Sequence, residues 1–458
     1  MTALLLSPLY IIFHIHALCL IYKWMGCCKK NFNNIFVKII VGVIYGILVL
    51  SLPIGTVLHA GGLQRLLMTI GNFTLGASLY EAFVVIVADI FILISKRRRS
   101  KKEAKAALKA EKKALKEAKK ASKNEKQAAE SVITEAETVE NKEADTEEKL
   151  SDAVEESDKT DKKTEEKSDN KGLAFIGGLA AAVIVLLCVI GVINARIIRT
   201  SEYQITIDKK VEWMKELNVV MVGDFHLGYN VGTRQMKKMV KKINAQNPDI
   251  VLIVGDVFDN DYDALDDPDE LKTILKDIDS RYGVYAVYGN HDVQEKRLAG
   301  FPFGKNKDKA PDERMEKFLE DVGIEMLRDE YILVDNKFYI YGRPDADRPG
   351  KGVEKRKTAE EIVKGLNMSK PVIVMDHQPK ELAKLSQAGV DLDLSGHTHN
   401  GQIWPCNLLN RLIWDNSYGY SKLGDMHSIV TSGVGVFGPN MRIGTRAEIC
   451  HIEIKMGN

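Results

Sequence analysis

Four runs of apolar residues decide most of what this chain can fold into. Residues 4–22, 36–58, 73–95 and 173–194 are dominated by Leu, Ile, Val, Ala, Gly and Phe, and each is close to the ~20 residues that a helix needs to cross the hydrocarbon of a bilayer. They predict four transmembrane helices. The first has no basic residue ahead of it and no small-residue cleavage site after it, which separates it from a signal peptide. Lys23, Lys29 and Lys30 follow it, and "KRRRSKK" follows the third run at 96–102. Cytoplasmic flanks are rich in Lys and Arg, so both of those ends are expected in the cytoplasm and everything beyond Arg199 outside it. The expectation is a multi-pass protein of the cell membrane.

Residues 96–171 are almost free of large apolar side chains and cannot bury enough surface to offset the entropy of ordering. They are expected to be a charged cytoplasmic linker, disordered or part-helical. "EAKAALKAEKKALKEAKKA" is helix-favouring and basic, whereas the stretch from about Ala128 to Asp169 is mainly acidic. The basic half fits contact with anionic lipids and equally a solvated tether. The expected organisation is three spans in 1–95, the linker in 96–171, a fourth span in 172–195 and a globular domain in 200–458.

Glu81 and Asp89 lie inside the third span, where a carboxylate is costly. A functional role and interhelical packing with His59 or Arg65 both account for them. Of six cysteines only Cys406 and Cys450 fall in the outer domain, so one disulfide is conceivable there. Cys27 and Cys28, beside the membrane, are candidates for acylation or plain thiols.

From about Lys215 the pattern changes. "ELNVVMVGD", "PDIVLIVGD", "GVYAVYGN" and "PVIVMDH" are short β-branched runs, each ending in a polar residue, with helical patterns between them such as "TRQMKKMVKKINAQN". Strand and helix in alternation predict an α/β fold with a buried sheet. Ligands in such folds bind beyond the carboxyl ends of strands, where these polar residues fall.

Asp224 and His226 stand one residue apart in "VGDFHLG" and could turn an oxygen and a nitrogen toward one point, although a capping Asp beside an incidental His reads equally from the triplet alone. Asp256 and Asp259 follow in "VGDVFDND": a strand-end aspartate there could bridge two cations ~3.5–4 Å apart, and a loop Asp capping the next helix reads equally. "YGNHD" offers Asn290 as a neutral ligand, His291 as a proton donor, and Asp292 to fix the tautomer of that histidine and raise its pKa. His377 ends a strand in "MDHQP", and His397 and His399 lie in "SGHTHNGQIWP". Five of the ten histidines thus stand beside strand ends. Donors of this kind without cysteine suit a borderline-hard pair of divalent ions: Mn first, Fe or Zn as alternatives.

"GDFH", "GDVFD", "GNHD", "DHQP" and "GHTH", in this order across 224–399, resemble the calcineurin-like metallophosphoesterase superfamily. "INARIIRTSEYQITI" and "SGVGVFGPNMRIGTRAEI" further resemble its membrane-anchored bacterial subgroup, which includes UDP-2,3-diacylglucosamine pyrophosphatase-like enzymes. The resemblance implies a four-layer α-β-β-α sandwich after the membrane helices. It implies one metal on Asp224, His226, Asp256 and His399, and a second on Asp256, Asn290, His377 and His397, with His291 as general acid oriented by Asp292. Gly223 and Asn400 stand where many relatives have Ser and Gly.

The expected activity is cleavage of a phosphodiester or pyrophosphate by metal-activated hydroxide, on a lipid-linked or cell-envelope substrate, with membrane lipids as neighbours and no nucleic-acid partner. Asn400 and Arg343 are candidate substrate contacts; "GRPDADRPGKG" also offers Arg348 and Lys351, though it reads as a polar surface loop too. The alternative is a degenerate phosphoesterase that serves as a membrane sensor or binding protein. A small transporter fits worse, because the four spans show no internal repeat.

Overall fold

The computed structural model describes residues 2–28, 32–59, 61–131, 174–293, 297–298, 301–302, 312–348 and 355–457. Lys29, Lys30, Lys351 and the later part of the linker lie outside them.

Apolar, strongly helical sequence produces four long helices: α1 (Thr2–Cys27), α2 (Ile35–Val57), α3 (Gly62–Ser131) and α4 (Ala174–Ala195). All four are long and apolar enough to cross a membrane. Helix α3 does not stop at residue 95. Its Ala-, Lys- and Glu-rich continuation has no helix breaker, and Lys113 and Glu117 pair at i,i+4.

The chain divides into two compact units, Met1–Ile15 with Val41–Leu79 and Ala182–Asn458, and His16–Ile40 with Tyr80–Ala181. Within the second, the Tyr22 hydroxyl donates to the Lys38 carbonyl at 3.0 Å and the Trp24 indole to that of Ala174 at 3.0 Å. Asp89 meets His16 Nε2 at 2.9 Å. The interhelical partner of this carboxylate is therefore on α1, and not His59 or Arg65. Arg65, in the first unit, donates instead to the carbonyls of Ala264 and Leu265.

The first unit carries two six-stranded sheets. Strands β1 (Ile198–Ile207), β2 (Glu216–Val222), β3 (Ile250–Ile253), β4 (Val284–Ala286), β7 (Ile324–Met326) and β14 (Ala447–Met456) form one, in the order β1-β14-β2-β3-β4-β7. The other, in the order β12-β13-β11-β10-β9-β8, contains β8 (Glu330–Val334), β9 (Phe338–Gly342), β10 (Val372–Met375), β11 (Leu392–Ser395), β12 (Gly419–Leu423) and β13 (Met426–Val430). A small ribbon pairs β5 (Arg297–Leu298) with β6 (Phe301–Pro302).

Side chains alternate across a strand, and both faces of each sheet are covered. Val219 and Met221 of β2, Leu252 of β3, Ile373 and Met375 of β10 and Leu392 and Leu394 of β11 fill the space between the sheets. Val220 and Val222 point the other way, onto α5 (Thr233–Asn244), α6 (Pro268–Lys276) and α7 (Glu313–Asp321). Val372 and Val374 point onto α8 (Ala359–Val363) and α9 (Leu382–Gln387). Helix α5 shows why it seats there: Met236, Met239, Val240 and Ile243 recur at i, i+3, i+4 and i+7 and are buried. Helix, sheet, sheet, helix is the four-layer order. The last helix, α10 (Cys406–Ile413), follows the "GHTH" segment.

All six cysteines are free, so Cys406 and Cys450 form no disulfide.

Candidate metal centre

The central strands of both sheets run parallel and end at one edge. The turns leaving β2, β3, β4, β10 and β11 carry Asp224 and His226, Asp256, Asn290 and His291, His377, and His397 and His399. Five of these residues, Asp224, His226, Asp256, His397 and His399, have φ between 48° and 67°. Non-glycine residues seldom adopt that region, and such strain concentrates where function over-determines geometry. The strained backbone lets the chain reverse within one residue, so a side chain can turn back over the strand end.

Three overlapping groups place ligand atoms within 4.8 Å of one another: Asp224, His226 and His399; His226, Asp256 and His291; and Asp256, His377 and His397. Asp256 links them. Its Oδ1 accepts the backbone N–H of His291 at 2.7 Å, while Oδ2 lies 3.3 Å from His377 Nε2 and 3.6 Å from His226 Nε2. His377 Nδ1 is 2.8 Å from the Val254 carbonyl, which directs Nε2 to the site, 3.0 Å from Asn290 Oδ1 and 3.2 Å from His397 Nδ1.

Whether this donor set fits cations can be judged from contacts that protons alone satisfy poorly. His226 Nε2 faces His399 Nε2 at 2.9 Å, and His377 faces His397 nitrogen to nitrogen. His226 Nδ1 is buried and faces Asp259 Oδ1 at 3.5 Å, too long for a good hydrogen bond. Nitrogens meeting head-on, with carboxylates between them and no sulfur, fit divalent ions. The titration pattern agrees. Burial pushes His397 down to about 3 and holds His399 well below the usual imidazole range, which leaves both rings neutral with a free lone pair. Burial raises Asp224 to about 6. Burial also works against charge on His377, but Asp256 and Asp224 outweigh it and raise the ring well above its ordinary value. His377 thus holds a proton that a cation would displace.

One sequence expectation is corrected by the loop path. The carboxylate at the His291 ring is that of Asp259, whose Oδ1 lies 3.1 Å from Nδ1. Asp292 is spent on the backbone: its oxygens accept the N–H groups of Asp256, Phe258 and Gly289 at 2.8–2.9 Å. It braces two of the turns that carry candidate ligands. Gly289 is required beside it, since a Cβ there would collide with Asp256. Asp259 was visible in the sequence as the second aspartate of "GDVFD" but indistinguishable there from a helix cap.

Arg343 is corrected as well. It is fully buried and pairs with Asp376 at 3.0 Å and Glu381 at 2.8 Å, joined by Arg356 on the same two carboxylates. It cannot reach a substrate. Arg348 Nη1 donates to the Asn290 carbonyl at 3.0 Å. Asn400 sits part-exposed in a one-turn segment, His399–Gly401, with φ 49°.

Three neighbours lie in the closing segment whose resemblance was noted in the sequence, without any sign there of a place at the site. The Phe437 ring packs 4.8 Å from His291 and 5.8 Å from His226. Gly433, at φ 79°, leaves room for Asp224, whose Cβ a side chain would meet at 2.5 Å. Arg442 is fully buried and donates to the carbonyls of Ser432 and Gly435 at the loop below His399. Each comes from the "SGVGVFGP" and "MRIG" segments, more than thirty residues past the last histidine motif.

The calcineurin-like phosphoesterase family model matches residues 217–401. An uncharacterized metallophosphoesterase of Campylobacter jejuni is 31% identical over 296 residues, which cover 63% of this chain and 72% of that one. The chain belongs to the calcineurin-like phosphoesterase family. Another member, the transmembrane protein with metallophosphoesterase domain of Danio rerio, is 29% identical over 292 residues, 60% of this chain and 62% of its own length. An uncharacterized metallophosphoesterase of Aquifex aeolicus is 29% identical over 276 residues, 60% of this chain and 98% of its own. The chain thus spans less than two thirds of the zebrafish relative. Its four apolar helices and that relative's name make this phosphoesterase a membrane protein.

Proposed function

We propose that this membrane phosphoesterase hydrolyses a phosphodiester or pyrophosphate bond at a two-cation centre, with Asp224, His226, Asp256 and His399 holding one ion and Asp256, Asn290, His377 and His397 the other. The observation that carries this is the position of Asp256, whose clamped carboxylate stands between His226 and His377. Two divalent cations, Mn first, would supply charge to the phosphoryl oxygens and acidify a water. The protein's own groups do the rest. Asp259 accepts from His291 Nδ1 and stabilises positive charge on that ring, and we assign His291 the proton given to the leaving oxygen. Phe437 covers the His291 ring and keeps water from it. The complete donor set favours an enzyme over a degenerate sensor.

The substrate we assign is lipid-linked or part of the cell envelope, as in the UDP-2,3-diacylglucosamine pyrophosphatase-like subgroup, because a domain joined to α4 stays at the bilayer. The domain lies outside the cytoplasm and the Lys- and Arg-rich end of α3 inside, in accord with the charge bias.

The test uses the full chain in detergent with bis-p-nitrophenyl phosphate, a phosphomonoester and a UDP-linked lipid, each with Mn, Zn or Mg, beside Asp256→Asn and His291→Ala. Hydrolysis that both variants lose is the expected result. No metal-dependent hydrolysis by the wild type, or equal hydrolysis by all three, refutes it. Labelling of an added thiol near residue 457, with none near residue 110, from outside the cell is expected for the topology. The reverse would put the centre in the cytoplasm.

A further inference from the structure

Helix α10 is amphipathic in the wrong sense for a helix on a soluble domain. Its polar side faces the protein: Asn410 Nδ2 donates to the Thr398 carbonyl at 2.8 Å, and the backbone at Asn407 closes on Gly401 of the "GHTHNG" loop. Its apolar side faces out. Leu408, Leu409, Leu412 and Ile413 are 49%, 58%, 83% and 71% exposed, and no residue of the helix is buried. They fall on one face at i, i+1, i+4 and i+5. The preceding Trp404 is half exposed too.

The start of this helix is tied to the membrane spans. Trp404 N–H donates to the Ile443 carbonyl at 2.8 Å, and Ile443 N–H to that of Gln402 at 3.1 Å. The same short segment is fixed on α4: Arg442 N–H donates to the Gly191 carbonyl at 2.9 Å, and Asn194 Nδ2 to the Arg442 carbonyl at 3.0 Å. Ile443 packs against Gly191, and Met441 against Gly76 of α3, where a Cβ on either glycine would strike them. Gly191 lies one turn from the end of α4. Trp404 is thus one strand spacing from a segment seated on the last turn of a span, at the depth where Trp concentrates in membrane proteins.

We propose that α10 docks on the bilayer itself, with Trp404, Leu408, Leu409, Leu412 and Ile413 in the boundary between headgroups and acyl chains. This rests on α1–α4 spanning the membrane and not on the proposed hydrolysis. A bilayer fits better than a second protein because Trp404, at the head of the apolar face, pairs with Ile443, which packs on the last turn of α4. Arg411, the only charge on the helix, can extend to lipid phosphates from the flank. At its other end α10 runs into Trp414, whose ring is 5.5 Å from that of His397. The helix therefore connects the bilayer surface to the rim of the metal centre.

The experiment places the full chain in lipid nanodiscs whose acyl chains are brominated near the headgroup or left unbrominated. Leu412→Trp and Ile413→Trp each add an indole at an exposed position, and Tyr331→Trp adds one on the exposed edge strand β8 as reference. Subtracting wild-type emission isolates the added indole. Docking predicts blue-shifted emission at 412 and 413 that bromination quenches about twofold or more, with the indole at 331 unquenched. Emission at 412 and 413 that matches 331 overturns the proposal. So does blue-shifted emission that bromine leaves untouched, which would mean a protein partner or second copy covers the face.

Discussion

Asp259 Oδ1 stands 3.1 Å from His291 Nδ1 and 3.5 Å from His226 Nδ1, one carboxylate oxygen against two imidazoles of the centre. Burial works against its charge, but His226 and His291 outweigh it and hold the carboxyl far below the usual aspartate range. A charge that stable can orient both rings. Asp259→Asn should keep metal content near wild type and lower kcat by roughly 10- to 100-fold, the scale of an outer partner's effect on a site. Metal analysis beside kinetics checks it; loss of both ions would make Asp259 a ligand.

Asp292 should behave differently. Its loss strands the amides of Asp256, Phe258 and Gly289, and each buried donor left unmade costs about 1–3 kcal/mol. Asp292→Ala should lower the thermal midpoint of the domain and reduce metal binding with it. Reduced turnover at unchanged stability and metal content would contradict a bracing role.

Arg343→Ala leaves Asp376 buried with Arg356 beside it and its other cation gone. Breaking a buried pair from one side costs about 3–5 kcal/mol, so the variant should unfold earlier. Where folded, it should keep the wild-type KM. A raised KM at wild-type stability would restore the substrate contact expected from the sequence.

Asp393, on β11, is fully buried with Ser395 and Ser428 hydroxyls on one oxygen. Burial, and then Asp376, push its pKa up to about 7 from 3.8. The folded state therefore keeps this proton over a pH range in which the unfolded chain has released it. Its contribution is complete below pH 3.8 and is lost as the pH rises through about 7. Thermal midpoints of wild type and Asp393→Asn between pH 4 and 8 should show a decline with pH that is flatter in the variant. Parallel curves would contradict it.

Most of the candidate donors were readable from sequence because they end short β-branched runs, and parallel strands deliver their ends to one edge; His397 and His399 stood out by the "GHTH" spacing alone. The unbroken apolar runs "VVMV" and "VIVM" likewise fit the buried sheet expected there. What failed depended on the path of loops. Nothing in "GNHD" reveals that Asp292 turns to the backbone while Asp259, more than thirty residues earlier, meets the His291 ring. "GRPDAD" reads as a polar loop, yet Arg343, directly after β9, is buried and sealed by Asp376 and Glu381. Helix α3 outran its apolar stretch because Ala, Lys and Glu propagate a helix as well as Leu does. The outward apolar face of α10 was invisible because periodicity shows that a helix has two faces, not which one is inside.

The most direct measurement is metal stoichiometry of the purified full chain after loading with Mn and removal of free ion. A centre bridged by Asp256 predicts about two equivalents per chain in the wild type, a large loss in Asp256→Asn, and about one in His399→Ala and in His397→Ala. One equivalent or none in the wild type, or two retained by Asp256→Asn, would contradict the dinuclear centre.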